Sequence, residues 1–200
     1  MIKNYLFAFV QQKKHQLLSL PATRIWASVC QIGAGVLLLF FSAQATIPFG
    51  LVPLTLQTVG LVVLGCSFPK GVPTLATSLY VALGTLGFPL FAGFRSGIGC
   101  LLGPTGGYLI GMVVCAWAMD AFRSNVDMRN GYAPLLCGLM GVALIYVFGV
   151  GMLAYGLGLS QALKVGFFPF FPIEMFKLLF AYLLVYPINK KINKNTADKQ

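Results

Sequence analysis

The sequence reads as an all-α integral membrane bundle of six transmembrane helices, with both termini cytoplasmic. Hydrophobic residues make up 58% of the 200 positions and charged residues only 9%, against about 25% charged in an average soluble domain. Apolar runs of bilayer-crossing length recur along the chain, and at ~20 residues per crossing there is room for about six. The basic residues gather at the ends of those runs. The net charge of +10 therefore reads as orientation in the membrane and contact with lipid, not as nucleic-acid binding.

Residues 1–23 form a basic, weakly amphipathic segment expected to lie along the cytoplasmic surface. Its apolar patch, 6–10, is short and is followed by Lys13, Lys14 and His15. That order is wrong for a cleaved signal, so the first span is expected to serve as its own insertion signal. Six spans follow at 24–45, 55–68, 71–91, 101–122, 132–155 and 168–187. The second is short, at about 14 residues against the ~20 a bilayer asks for. Residues 24–188 thus form one transmembrane domain, multi-pass in the cell's inner or plasma membrane, and 189–200 form a polar, basic cytoplasmic tail.

Placing the N-terminus in the cytoplasm puts Lys3, Lys13, Lys14, Arg24, Lys70, Arg123, Arg129, Lys190, Lys191, Lys194 and Lys199 inside. The outside segments then hold only Arg95 and Lys164, while Lys177 lies within a span. This asymmetry obeys the positive-inside rule and requires an even number of crossings. The five cysteines (Cys30, Cys66, Cys100, Cys115, Cys137) are scattered through apolar runs without a CxxC pair. They suggest neither a metal site nor a disulfide framework.

Four stretches carry chemistry. In the last span, Pro172-Ile173-Glu174-Met175-Phe176-Lys177 holds the chain's only glutamate and a lysine three residues on, so both share one helix face. Each charge costs about 2.5–3.5 kcal/mol at mid-membrane and calls for a cavity or a partner. With the helix starting near Phe168, Lys177 lies roughly 13 Å below the outer end, which suits the floor of an outward-open pocket. An ion pair that only fixes packing, or a snorkelling Lys177, are the alternatives.

The outward, Gly-rich stretch Phe91-Ala92-Gly93-Phe94-Arg95-Ser96-Gly97 holds Arg95. An arginine there can take a carboxylate bidentately, or the stretch is a flexible connector whose Arg95 meets lipid headgroups. Gly103-Pro104-Thr105-Gly106-Gly107-Tyr108 opens or kinks the fourth span. Gly106 and Gly107 permit close approach of a helix or a ligand, and Tyr108 offers a flat face with a hydroxyl. Between the first two spans, Pro48 and Pro53 bound an outer hairpin, after which Thr55, Gln57 and Thr58 offer neutral hydrogen bonds. Thr55 also suits a helix cap, whereas Gln57 needs a partner.

Catalytic groups are scarce. The chain has no Gly-x4-Gly-Lys-Ser/Thr string, so it is not itself an ATPase. A lipid-acting membrane enzyme would need acids or histidines clustered at the cytoplasmic face. The single histidine is His15. Asp120 and Asp127, beside Arg123 and Arg129, read as a solvated charge network. No enzyme activity, metal or cofactor is expected.

The motifs resemble those of the BioY family, the biotin-specific S components of energy-coupling-factor (ECF) transporters. The matching strings are Ala43-Gln44, then Ile47-Pro48-x-Gly50-x-Val52-Pro53-x-Thr55-Leu56-Gln57-Thr58. They continue with Tyr80, Gly84, Gly87, Pro89-x-Phe91-Ala92-Gly93, Leu102-Gly103-Pro104-Thr105-Gly106-Gly107-Tyr108-Leu109 and Pro172-x-Glu174-x-x-Lys177. The resemblance covers about residues 25–190. It implies a six-helix membrane fold holding biotin near the outer surface, driven by a transmembrane coupling subunit and two ATP-binding subunits. It also implies ligand contacts from Glu174 and Lys177, with Arg95 meeting the valerate carboxylate; Gln57, Tyr80, Thr55, Gly107 and Tyr108 complete the expected site. Two departures stand out. Ile173-Glu174 replaces the family's usual Gly-Asp, which lengthens the acid by one methylene. The small-x3-small stripe on the first helix is reduced to Cys30 and Ala34. The expected function is biotin capture for uptake, with another small carboxylated vitamin as the alternative cargo.

Overall fold

The computed structural model describes residues 21–126, 128 and 132–197, with side chains for 25–126, 128 and 132–187. The expected surface segment up to residue 20, with His15, and the loop residues Asp127 and Arg129 lie outside the described residues. Eight α-helices and one short hairpin make up the described chain: α1 Pro21–Gln44, β1 Thr46–Ile47, β2 Leu54–Thr55, α2 Gln57–Ser67, α3 Val72–Thr85, α4 Ile98–Leu102, α5 Gly106–Phe122, α6 Ala133–Leu157, α7 Leu159–Gly166 and α8 Phe171–Ala197. A 3-10 turn, Ala92–Phe94, lies between α3 and α4.

Helix α2 occupies the middle. Gln57, Val59, Gly60, Leu61, Val62, Leu64, Gly65 and Cys66 are all buried, so this helix is enclosed on every side. It packs on α1 and α8, while α5 and α6 form the most extensive helix pair. The outer faces stay apolar: Trp26, Phe41, Trp117, Val147 and Phe176 are each more than 60% exposed. Large apolar side chains turned outward on several helices fit a lipid environment.

Among the described residues, two helices, Ile25–Gln44 and Ala133–Leu157, are long and apolar enough to cross a bilayer singly. A third crossing is available if Leu159–Gly166 and Phe171–Pro187, bent by 48° at their break, act as one span. The helices corresponding to the second, third and fourth predicted spans are shorter apolar rods.

The boundaries depart from the hydropathy reading in four places. Helix α3 stops at Thr85 rather than 91, because Gly87 takes a positive φ of 114° and Pro89 follows; neither continues a helix. The fourth span is two helices, broken at Gly103-Pro104-Thr105. Helix α7 was not anticipated, and it displaces the start of the last helix to Phe171. That last helix continues past Pro187 to Ala197, into residues expected to form the tail.

The end of the bundle away from Arg95 is tied by buried charge, not by the solvated network expected there. Asp120 is only 6% exposed. Its carboxylate accepts from the backbone N–H groups of Gly71 and Thr74, both at 3.1 Å, and from the Thr74 hydroxyl. An acid from α5 thus caps the positive end of α3. Three residues on, Arg123 Nη1 donates to the carbonyls of Gly65 and Phe68, closing the C-terminus of α2. The pair links three helices through backbone ends that have no intrahelical partner. Asp120→Ala is expected to lower stability by about 1–2 kcal/mol, seen as earlier thermal unfolding in detergent, with ligand affinity of the folded fraction unchanged.

Candidate functional site

The hairpin β1–β2 is antiparallel, with Thr46 opposite Thr55 and Ile47 opposite Leu54. Its Pro48 and Pro53 deny the linking residues a helix, so the chain leaves α1, doubles back and enters α2 at Gln57. This brings Thr55, Gln57 and Thr58 against the first turns of α8. There Glu174, 5% exposed, and Lys177, 8% exposed, form an ion pair.

Lys177 also reaches the hairpin, and both charges reach Thr58 in α2. Lys177 Nζ donates to the Thr55 carbonyl at 2.7 Å and to Thr58 Oγ1 at 3.0 Å. Thr58 Oγ1 in turn donates to Glu174 Oε1 at 3.2 Å. Glu174 stands in the first turn of α8, where the helix dipole favours an anion. Because α8 starts at Phe171, Lys177 lies about 9 Å along it, nearer its start than the sequence indicated. The pair neutralises itself, and one acceptor is left over: Glu174 Oε2 is buried without a hydrogen-bond partner.

Beside the pair opens a cavity of about 90 Å³. Glu174, Lys177, Thr55, Thr58 and Gln57 line one side. Tyr108, Leu109, Met112, Ile145, Tyr146 and Phe170 supply aromatic and aliphatic walls, and Phe91, Ala92 and Arg95 the rim. Tyr108 and Tyr146 meet edge to face at 6.1 Å, and Tyr146 meets Phe167 at 5.3 Å. The Tyr108 hydroxyl donates to the Gly166 carbonyl at 2.9 Å, so the break before α8 holds one aromatic wall in place. The chemistry is that of a solute receptor: an apolar, aromatic chamber with a buried carboxylate–ammonium pair on one side and an arginine at the rim.

Six of the expected site residues line this chamber: Glu174, Lys177, Arg95, Gln57, Thr55 and Tyr108. Tyr80 lies behind the wall, fully buried, where its hydroxyl accepts from Gln57 Nε2 at 2.9 Å and donates to the Leu90 carbonyl at 2.9 Å. That is the partner Gln57 needed. Gly107 is a packing residue, not a lining one: a Cβ there would strike the Phe148 carbonyl oxygen and Met152 on α6. Thr55 is not the N-cap of α2, which is Leu56, although its hydroxyl accepts from Gln57 N at 3.3 Å. Tyr146 was overlooked; a tyrosine inside an otherwise apolar span was the available signal.

Fold and chamber together define a membrane-protein class, the helical solute-binding subunit with a pocket among its helices. The BioY family model matches residues 12–194. The chain is 35% identical over 162 residues to the biotin transporter BioY of Thermotoga maritima, covering 80% of this chain and 95% of that one. It is 31% identical over 164 residues to the probable biotin transporter BioY of Rickettsia prowazekii, covering 82% and 84%. The fold superposes with a TM-score of 0.71 on the crystal structure of an S-component for biotin from an ECF-type ABC transporter, at 23% identity and covering 84% and 92%. The chain belongs to the BioY family.

Proposed function

We propose that this protein is the membrane subunit that captures biotin for uptake, working as the S component of an ECF-type transporter. The observation carrying this reading is the buried Glu174–Lys177 pair at the floor of an aromatic chamber, in a chain whose relatives are biotin transporters. Biotin's ureido group offers two N–H donors and a carbonyl, and its valerate tail ends in a carboxylate. Glu174 Oε2, buried and unpartnered, would accept an N–H once the carboxylate turns toward the ligand, and Lys177 would donate to a carbonyl. Tyr108 and Tyr146 would flank the bicyclic ring, and Arg95 at the rim would pair with the carboxylate.

In this reading the chain crosses the cell's inner or plasma membrane six times with both termini cytoplasmic. The short helices α2, α3 and α5 complete crossings with their flanking segments, and residues 24–188 form the biotin-binding domain. A transmembrane coupling subunit and two ATP-binding subunits supply the driving force. The chain is a transport subunit and not an enzyme.

Arg95→Ala is expected to weaken biotin binding about tenfold while changing affinity for a carboxyl-amidated analogue much less; equilibrium binding to purified protein checks this. The decisive test of the function is saturable binding of labelled biotin to detergent-solubilised protein, with a panel of other carboxylated vitamins as competitors. Failure of biotin to bind, or displacement by another vitamin at lower concentration, overturns the assignment.

A further inference from the structure

We infer that Gln44 is a positioning residue for the carboxylate end of the ligand, acting through Arg95 without touching the ligand itself. The inference rests on the reading of the chamber as a site for a carboxylated molecule. Gln44 is the last residue of α1 and does not line the chamber. Its half-buried amide nevertheless spans the rim segment. Nε2 donates to the carbonyls of Leu90 and Phe91, both at 3.2 Å, and Oε1 accepts from the Phe94 backbone N–H at 3.1 Å. One side chain thereby grips both ends of a six-residue bend that terminates in Arg95.

The bend needs gripping. Phe94 has φ 58°, the non-glycine residue with positive φ among the described residues, and it follows Gly93 at φ 68°. A left-handed phenylalanine persists only where its surroundings over-determine it, and its N–H is held by Gln44. Inside the bend, Phe91 N donates to the Arg95 carbonyl at 3.0 Å, and Arg95 Nε donates to the Ala92 carbonyl at 3.3 Å. That last bond uses one guanidinium donor and leaves the paired Nη groups as the fork a carboxylate takes. An exposed arginine on an untethered Gly-rich loop would spread that fork over many positions. Here the amide of Gln44 holds backbone groups of Leu90, Phe91 and Phe94 in the bend that precedes Arg95.

The Leu90 carbonyl also accepts from the Tyr80 hydroxyl, whose other partner is Gln57 in the chamber wall. Wall and rim therefore hang on one carbonyl, and Gln44 sits on the rim side of it. Loss of Gln44 should release the arginine while Tyr80 keeps the wall.

The test compares Gln44→Met, which keeps the side chain's bulk without its amide, with Gln44→Ala, Arg95→Ala and the Gln44→Met/Arg95→Ala double variant. Each is assayed for equilibrium binding of biotin and of biotin amide in detergent. Gln44→Met and Gln44→Ala should weaken biotin about tenfold and biotin amide less than about twofold. The double variant should bind biotin no more weakly than Arg95→Ala alone, the sign of two residues acting as one unit. Equal losses for acid and amide, multiplying losses in the double variant, or wild-type biotin affinity in Gln44→Met would each overturn the assignment of Gln44 alone. Wild-type protein that binds neither ligand would overturn the reading of the chamber and this inference with it.

Discussion

Lys177→Met should lower stability in detergent by about 3–5 kcal/mol and weaken biotin binding by about 2–4 kcal/mol, or roughly 30- to 1000-fold. The ammonium is 8% exposed and meets the Glu174 carboxylate, the Thr55 carbonyl and Thr58 Oγ1 together. Removing it strands a carboxylate that is itself 5% exposed, and an uncompensated buried charge is the larger part of the loss. It also frees the hairpin from α8, because the Thr55 carbonyl is the hairpin's hydrogen bond to that helix. The double variant Glu174→Gln/Lys177→Met strands no charge. It should therefore recover most of the stability and still fail to bind biotin. Thermal unfolding and equilibrium binding, measured on the same samples, separate the two effects. A single variant as stable as wild type, or a double variant that binds normally, would contradict this account of the floor.

Gly107→Val should destabilise the protein by about 3 kcal/mol, the upper part of the range for overpacking. The new Cβ would stand 2.6 Å from Met152 Cβ and 3.0 Å from Gly149 Cα, and closer still to the Phe148 carbonyl oxygen. Backbone cannot give way as a side-chain tip can, so α5 and α6 must separate. Gly111, one turn on, meets the Ile145 Cα in the same way, and Gly107-x3-Gly111 is the small-residue spacing that lets helices approach in lipid. Gly149 on the facing helix makes room for the Tyr108 ring, so the same interface seats one wall of the chamber. The control is Gly151→Val, where nothing lies within 4 Å of the added Cβ and thermal unfolding in detergent should barely change.

The parts of the site legible in the sequence were those whose chemistry has no business in an apolar run. Glu174 and Lys177 are charges where insertion alone disfavours them, and helical spacing puts them on one face, so a cavity beside them could be expected, while their pairing with each other stood only as an alternative. Gln57 announced a need for a partner, though not that Tyr80 would be it. Hydropathy, by contrast, averages over a window and carries no direction. It could not see that Gly87 and Pro89 end α3 early, that Gly103-Pro104 splits the fourth predicted span, or that α7 bends the chain by 48° before α8.

The burial of Asp120 is hidden from the sequence for a related reason. Beside loop residues of like kind it looks solvated, and only the packing of α5 against α3 turns the carboxylate onto the Gly71 and Thr74 amides. Gly107 was open between ligand and helix in the sequence, and the neighbouring backbone of α6 decides for the helix. Tyr146 carries a signal as plain as Tyr108, masked by a span that reads as uniformly apolar.

The claim on which the rest depends is that one biotin molecule occupies the chamber with its ureido ring toward Glu174 and Lys177. A crystal of the protein grown with biotin whose ring sulfur is replaced by selenium puts that to the test through the anomalous signal. The account predicts a single selenium peak inside the chamber, between the Tyr108 and Tyr146 rings and the Glu174–Lys177 floor. A peak confined to the space outside Arg95, or none in the chamber while the ion pair keeps its contacts to Thr55 and Thr58, would contradict it.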